Sequence, residues 1–276
     1  MRKLFILGTA FVVSAAMLLT ACKKDDPKPD NGGNNNNQET PGGGEVTPNQ
    51  EYPETAVVLP QAVTDIDGNT YDAVQIGDQV WMAKNLCTTR YADSTTIELG
   101  ANSSYDTPLR YTSGMDVSIY GYVYNWAAVM HGANSSNNNP SGVQGICPNG
   151  WHVPSDAEWI QLTDYLSSHS EYVCDGTSNK IAKAIASQND WPLSAGGPCS
   201  VGVNLHANNI TGFSARPNCS YFDGTFGDFG YAANFWSTTE TSEHDAYWCG
   251  IADGSAYVYR YTDSKNFGFS VRCVRD

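Results

Sequence analysis

The chain has 276 residues, a formal net charge of −14, 41% hydrophobic and 12% aromatic residues, and only 16% charged residues. That length and apolar content are enough for one sizeable core. The acidic balance excludes a nucleic-acid partner, whose phosphates need clustered Lys and Arg, and the abundance of Gly and aromatics fits a loop-rich, strand-rich extracellular module better than a cytosolic helical enzyme.

The first segment is not part of a fold. Arg2 and Lys3 precede an apolar run from Leu4 to Leu19, which leads into Thr20-Ala21-Cys22. A basic start, an apolar stretch and small residues before a cut describe a secretory signal over residues 1–21. Leu19-Thr20-Ala21-Cys22 resembles a bacterial lipobox, which implies cleavage before Cys22 and acylation of that residue with long chains such as palmitate. The alternative is a plain transmembrane anchor, since the run almost reaches a spanning length. Lys24-Asp25-Asp26 resembles the Lys-Asp-Asp export signal of Bacteroidetes surface lipoproteins, which implies a lipid anchor in the outer membrane, displayed on the cell surface. Residues 22–58 then hold the lipidated Cys and a linker rich in Pro, Gly and Asn. With almost no apolar residues it cannot offset its ordering entropy, so a disordered tether is expected.

Residues 59–276 form the predicted domain. Asp67-Gly68 lies between alternating runs, a hairpin signal, and Gly77-Asp78 gives a second turn. Three strands are expected near 63–66, 70–76 and 79–84. The segment 91–145, rich in Ser, Asn, Gly and Tyr, reads as loop with one short helix within 120–132, where Tyr124, Ala127 and Ala128 would share a face. Inside it, Asp93-Ser94-Thr95 resembles a Bacteroidetes O-glycosylation acceptor; an ordinary turn explains it equally well. Ser155-Asp156-Ala157-Glu158 is a capping box, and Trp159, Leu162, Thr163 and Leu166 follow on one helical stripe. A second helix is expected over 178–186, with Ile181, Ala184 and Ile185 inward. Short runs at 212–217, 234–240, 246–252, 256–261 and 268–274 then predict antiparallel sheet. Strands, helices, then strands make an α+β fold with segregated elements.

Of eight Cys, Cys22 is assigned to lipid, leaving seven disulfide candidates and therefore at least one free thiol. No CxxC or HExxH occurs, and the five His lack ligand spacing, so no metal centre is expected. Cys147 and His152 could form a nucleophile and base, but that pair would need an orienting third group. Nothing in the sequence supplies one, and no catalytic residue is assigned.

Several long stretches occur in a telling order: DIDGNTYDAVQIGDQVWMAKNL, YGYVYNWAA, CPNGWHVPSDAEWIQLTDYL, GFSARP, FWSTTE and GFSVRCVRD. Together they resemble the Fibrobacter succinogenes major paralogous domain (FISUMP) over residues 63–276. GWHVPSDAEW is also similar to a stretch of the formylglycine-generating-enzyme family. The resemblance implies a C-type-lectin-like domain with two helices, short antiparallel sheets and a long irregular loop region, its N- and C-terminal strands sharing a sheet. It makes CPNGWHVPSDAEW a fold corner and pairs Cys147 with Cys273. Cys174, Cys199, Cys219 and Cys249 are then the pool for two more bridges, with Cys87 as the odd thiol.

Neither relative's site transfers residue by residue. The downstream Cys pair of the formylglycine-generating enzymes has no counterpart pattern around Cys249 or Cys273. The lectins' calcium stretches are missing too: Arg216-Pro217-Asn218 lacks the acid, and Trp236 precedes Ser237-Thr238. The function implied is non-catalytic binding of glycans or surface proteins, with the membrane reached through the lipid. Its site would be the loop 217–236, through Asn218, Tyr221, Asp223, Asp228, Tyr231 and Trp236. Rings stack on sugars, carboxylates orient hydroxyls, and Asp oxygens could hold Ca²⁺, the one cofactor considered. The plainer reading makes these residues turn caps and core aromatics. Two alternatives stay open: an enzyme related to formylglycine-generating oxidases, and a structural adhesin or envelope component.

Overall fold

The computed structural model describes residues 52–276. Cys22, the signal segment and most of the tether lie outside the described residues.

The turn at Asp67-Gly68 forms as its residues dictate. Gly68 sits at φ +86°, where a side chain is strained. Asp65 Oδ1 accepts from the backbone N–H groups of Asp67 and Asn69, and Oδ2 accepts from the Tyr71 hydroxyl. This turn joins β1 (Val57–Thr64) to β2 (Thr70–Ile76), and β2 pairs in turn with β3 (Gln79–Met82). β1 starts earlier than its alternation suggests. A bulge between Leu59 and Val63 breaks the period, and Gln61 takes φ +47° there. The Tyr52 hydroxyl donates to Asp72 across 2.8 Å, so packing reaches back into the segment that composition assigns to the tether.

A small sheet follows: β4 (Glu98–Leu99), β5 (Leu109–Tyr111) and β6 (Val123–Tyr124), with the one-turn α1 (Val117–Tyr120) between β5 and β6. Tyr124 therefore lies on a strand rather than on the expected helical face. The helix is only α2 (Trp126–Met130), capped by Asn125, whose side chain accepts from the Ala128 N–H. After β7 (Trp151–His152) comes α3 (Asp156–Ser168) with its capping box complete. Trp159, Leu162 and Leu166 are buried along it.

The expected helix over 178–186 contracts to one turn, α4 (Ala182–Ile185). Residues 174–180 are drawn into a tight turn by Cys174 N–H to Lys180 O and Lys180 N–H to Thr177 O. Ile181, Ala184 and Ile185 are still buried.

The C-terminal strands are β8 (Asn218–Phe222), β9 (Thr225–Glu240), β10 (Asp245–Ala252), β11 (Tyr259–Ser264) and β12 (Val274–Arg275). The runs at 234–240 and 246–252 become strand. The run at 212–217 does not, because Ser214 turns at φ +55° and only Ala215 bridges Ala186. The run at 256–261 begins its strand only at Tyr259. The run at 268–274 threads between neighbours as single bridges at Gly268, Phe269 and Ser270 before β12.

Two larger sheets result. One has the order β1-β2-β3-β12-β7, so the last strand lies between β3 and β7; the other is the antiparallel β11-β10-β9-β8. The fold is mixed α+β and mostly β. One core cluster gathers Tyr124, Trp236, Phe269 and Val271. A second gathers Trp81, Trp159, Phe213 and Phe235. Arg272 is buried beside the second, its guanidinium 4.6 Å from the Phe213 ring centroid. It donates to Asn85 Oδ1 and to the carbonyls of Met82, Phe213 and Ser214, with no carboxylate partner among the described residues. Burial pushes its pKa down to about 9.

Candidate functional site

The stretch 217–236 is a hairpin, not a loop. Asp223-Gly224 makes the turn with both φ angles positive, and β8 and β9 pair from Asn218 to Ala232. Depth divides the six predicted residues, because β8 and the far half of β9 are buried while the turn end of the hairpin is open. Asn218, Tyr221 and Trp236 are buried. The Asn218 amide donates to Tyr120 O and Ser270 Oγ. Tyr221 stacks on Tyr111 at 3.9 Å, and the Trp236 indole donates to Tyr124 O across 2.8 Å. Asp223 faces solvent and accepts from the Ser103 hydroxyl. Asp228 sits at φ +58° beside Asn234. Tyr231 is 57% exposed. The structure thus leaves Asp223 and Tyr231 at the surface and Asp228 half-buried, and places the other three in the interior. Among the described residues, no three His, Cys, Asp or Glu side chains converge to hold a metal ion.

The corner at Cys147–Trp159 is a structural joint. Cys147 is bonded to Cys273, so its sulfur is no nucleophile. His152, 3% exposed, does not face Cys147. Its Nε2 is 2.7 Å from Glu158 Oε1 and its Nδ1 is 2.7 Å from Asp276 Oδ1. Glu158 Oε2 also accepts the N–H groups of Ser155 and Ser141. Burial alone lowers the His152 pKa, but the hydrogen bonds and charges of Glu158 and then Asp276 outweigh it and leave the pKa raised.

The second disulfide joins Cys174 to Cys199. The expected third bridge is corrected: Cys219 and Cys249 are free and buried, as is Cys87. Cys219 packs with Tyr111 and Tyr221, while Cys249 packs with Phe235 in a different cluster. Burial pushes all three thiols above their ordinary range.

A concave surface lies elsewhere. An open cleft of about 660 Å³ is bounded by Tyr105, Asp106 and Pro108, by α2 with the turn after it, by Glu243-His244 and by Lys265. The Tyr105 hydroxyl is 2.8 Å from Ser264 Oγ, and its ring is 5.0 Å from the His244 ring. The Trp126 indole is fixed by donation to Ser237 O. Lys265 lies 4.5 Å from the Trp126 ring and donates to Glu240 Oε2, Ser242 O and Glu243 O. An ammonium has three N–H groups, so this one is saturated. No Cys, Ser or Thr lines the cleft among the described residues. What it offers a ligand is fixed ring faces and the carboxylates of Asp106 and Glu243. Sequence reading missed these residues because they come from three distant segments. The aromatic content around Tyr105 and Trp126 was the one signal, and it does not say which rings meet.

A family model described as the Fibrobacter succinogenes major domain matches residues 74–275. No curated protein and no solved structure gives a match to the chain.

Proposed function

The chain belongs to the Fibrobacter succinogenes major domain family, and on that premise we propose that it is a surface-anchored lipoprotein whose domain binds glycans or surface proteins without catalysing a reaction. Cys22 would carry the lipid in the outer membrane, and the linker after it would hold the domain clear of the surface. We also assign the domain to the C-type-lectin-like group. The sheet that unites the first strands with β12, and the capped α3 beside it, support that assignment.

One observation carries the binding reading. The cleft beside Tyr105 and Trp126 presents oriented aromatic rings next to carboxylates, while Lys265, its only Lys or Arg among the described residues, has every donor engaged. Such a surface suits a neutral polar ligand, which stacks on rings and donates hydroxyls to carboxylates. Covalent chemistry instead needs a nucleophile beside its base, and although Asp106, His131, Glu243 and His244 line this cleft, no Cys, Ser or Thr does among the described residues.

The test is a glycan array and a panel of purified surface proteins, probed with the protein with and without Ca²⁺. Tyr105→Ala should weaken the bound ligand several-fold and leave the melting temperature unchanged. Turnover of a thiol substrate by the protein, or unchanged binding in Tyr105→Ala, would contradict the proposal. A Ca²⁺ requirement would restore a metal role for the exposed Asp residues.

A further inference from the structure

We infer that the ligand is an extended, uncharged polysaccharide laid along the edge strand β11, between two hollows of the surface. This rests on the binding reading above and names the class of ligand.

β11 is the outermost strand of its sheet and pairs only with β10 among the described residues. Tyr257, Tyr259 and Tyr261 occupy alternate positions as the chain enters it. Alternate residues of a strand stand about 6.6 Å apart, which sets the interval between Tyr259 and Tyr261, and Tyr257 lies in the bend just before the strand. The Tyr259 and Tyr261 rings are 5.8 Å apart with planes 20° from parallel. Tyr261 is 57% and Tyr257 41% exposed. Trp248 is the cross-strand partner of Tyr261, with ring centroids 5.8 Å apart. Two of these rings are held in place: the Trp248 indole donates to Asp263 Oδ2 and the Tyr259 hydroxyl to Ser255 Oγ.

The strand also connects two concavities. Tyr257 and Tyr259 line a hollow of about 320 Å³ that also includes Gly254 and Lys180. At the other end Ser264 is bonded to Tyr105, and Lys265 lines the cleft of about 660 Å³. From Tyr259 to Ser264 the strand alone spans on the order of 17 Å, and a concavity lies beyond each end. That length suits a polymer rather than a single sugar.

Charge selects the kind of polymer. Lys180 is paired with Asp175, Arg260 with Asp156 and Lys265 with Glu240. The cations beside β11 are therefore neutralised, and a chain of net charge −14 repels uronates, sulfates and phosphates. A neutral chain of β-linked pyranose sugars meets no such penalty. Its flat C–H faces match tyrosine rings, and its hydroxyls donate to Asp263 and to other acceptors along the strand.

The experiment uses the purified protein with hydroxyethylcellulose, galactomannan and xyloglucan in affinity electrophoresis, and polygalacturonate as the charged control. Calorimetry then compares disaccharides and hexasaccharides of the polymer that binds. At least one neutral polymer should bind and polygalacturonate should not. The hexasaccharide should bind about tenfold tighter than the disaccharide, since more rings engage it. Tyr257→Ala and Tyr261→Ala should each weaken hexasaccharide binding about fivefold with unchanged melting temperature, because exposed rings contribute stacking and little stability. Equal affinity for the two lengths, wild-type binding by both variants, or binding of polygalacturonate would overturn the inference. Binding that Tyr105→Ala abolishes while Tyr257→Ala and Tyr261→Ala retain it confines the ligand to the cleft, which overturns the track and leaves the proposed function standing. Absence of binding to all three neutral polymers overturns the track; it overturns the proposed function as well only if the glycan array and the surface-protein panel are also blank.

Discussion

Cys273 is bonded to Cys147 across 126 residues, with their Cα atoms 6.0 Å apart. Closing so long a loop removes much of the freedom of the unfolded chain. In the chain-entropy model the bridge contributes about 4–5 kcal/mol. Cys147→Ser should therefore lower the urea midpoint strongly, and the Cys147→Ser, Cys273→Ser double variant should be little worse than either single one. Urea unfolding followed by fluorescence of the buried Trp residues measures this; an unchanged midpoint would show that the bridge adds nothing.

His152 makes the stability depend on pH. Its pKa is raised above the ordinary 6.5 by Glu158 and Asp276. A base whose folded pKa is raised contributes its stabilisation fully below the unfolded value and loses it as pH climbs through the folded value. The melting temperature should thus be highest near pH 6 and decline at higher pH as His152 loses its proton. His152→Gln should lower the curve at acid pH and flatten this part of it. A His152→Gln curve parallel to wild type across about pH 5.5–8.5 would locate the dependence in another group.

Trp236 and Asp223 lie close in sequence and should behave oppositely. Trp236 is fully buried and hydrogen-bonded to Tyr124 O, so Trp236→Ala should cost about 3–5 kcal/mol. Asp223 sits on an exposed turn, where Asp223→Ala should stay within about 0.5 kcal/mol of wild type. Thermal melts of the two variants compare them directly, and equal losses would argue against the hairpin.

The free thiols should be silent. Cys87, Cys219 and Cys249 are buried, and burial holds each in its protonated form. Native protein treated with iodoacetamide should show no label on these three by mass spectrometry, while protein unfolded in guanidinium without reductant should show label on all three. Rapid labelling of any of them in the native state would reopen the thiol-enzyme reading.

The features legible in the sequence were those whose partners are neighbours. The capping box of Ser155 and Glu158 and the turn at Asp67-Gly68 depend on contacts within four residues, and both formed as read. The pairing of Cys147 with Cys273 came from the family resemblance, since nothing local links them. The hairpin at 218–240 was obscured by its own glycines and aspartates. Asp223-Gly224 is a true turn, but Asp228 and Gly230 take positive φ inside β9, giving a strand the composition of a loop. Free Cys219 and Cys249 could not be told from bridged ones, because parity does not say which core cluster each thiol enters. The cleft was hidden for the same reason: Tyr105, Trp126 and His244 meet only in three dimensions.

The place of β12 in its sheet makes one short strand the common neighbour of two distant segments. Two residues near the chain's end, Val274 and Arg275, bridge β3 on one side and β7 on the other. Without them the amino-terminal meander and the α3 corner would share no strand. The Cys147–Cys273 bridge and the contact of His152 with Asp276 flank the same short strand. Displacing this one strand would therefore part the meander from the corner and strain a covalent link and an ion pair together, so two segments distant in sequence stand or fall as one unit.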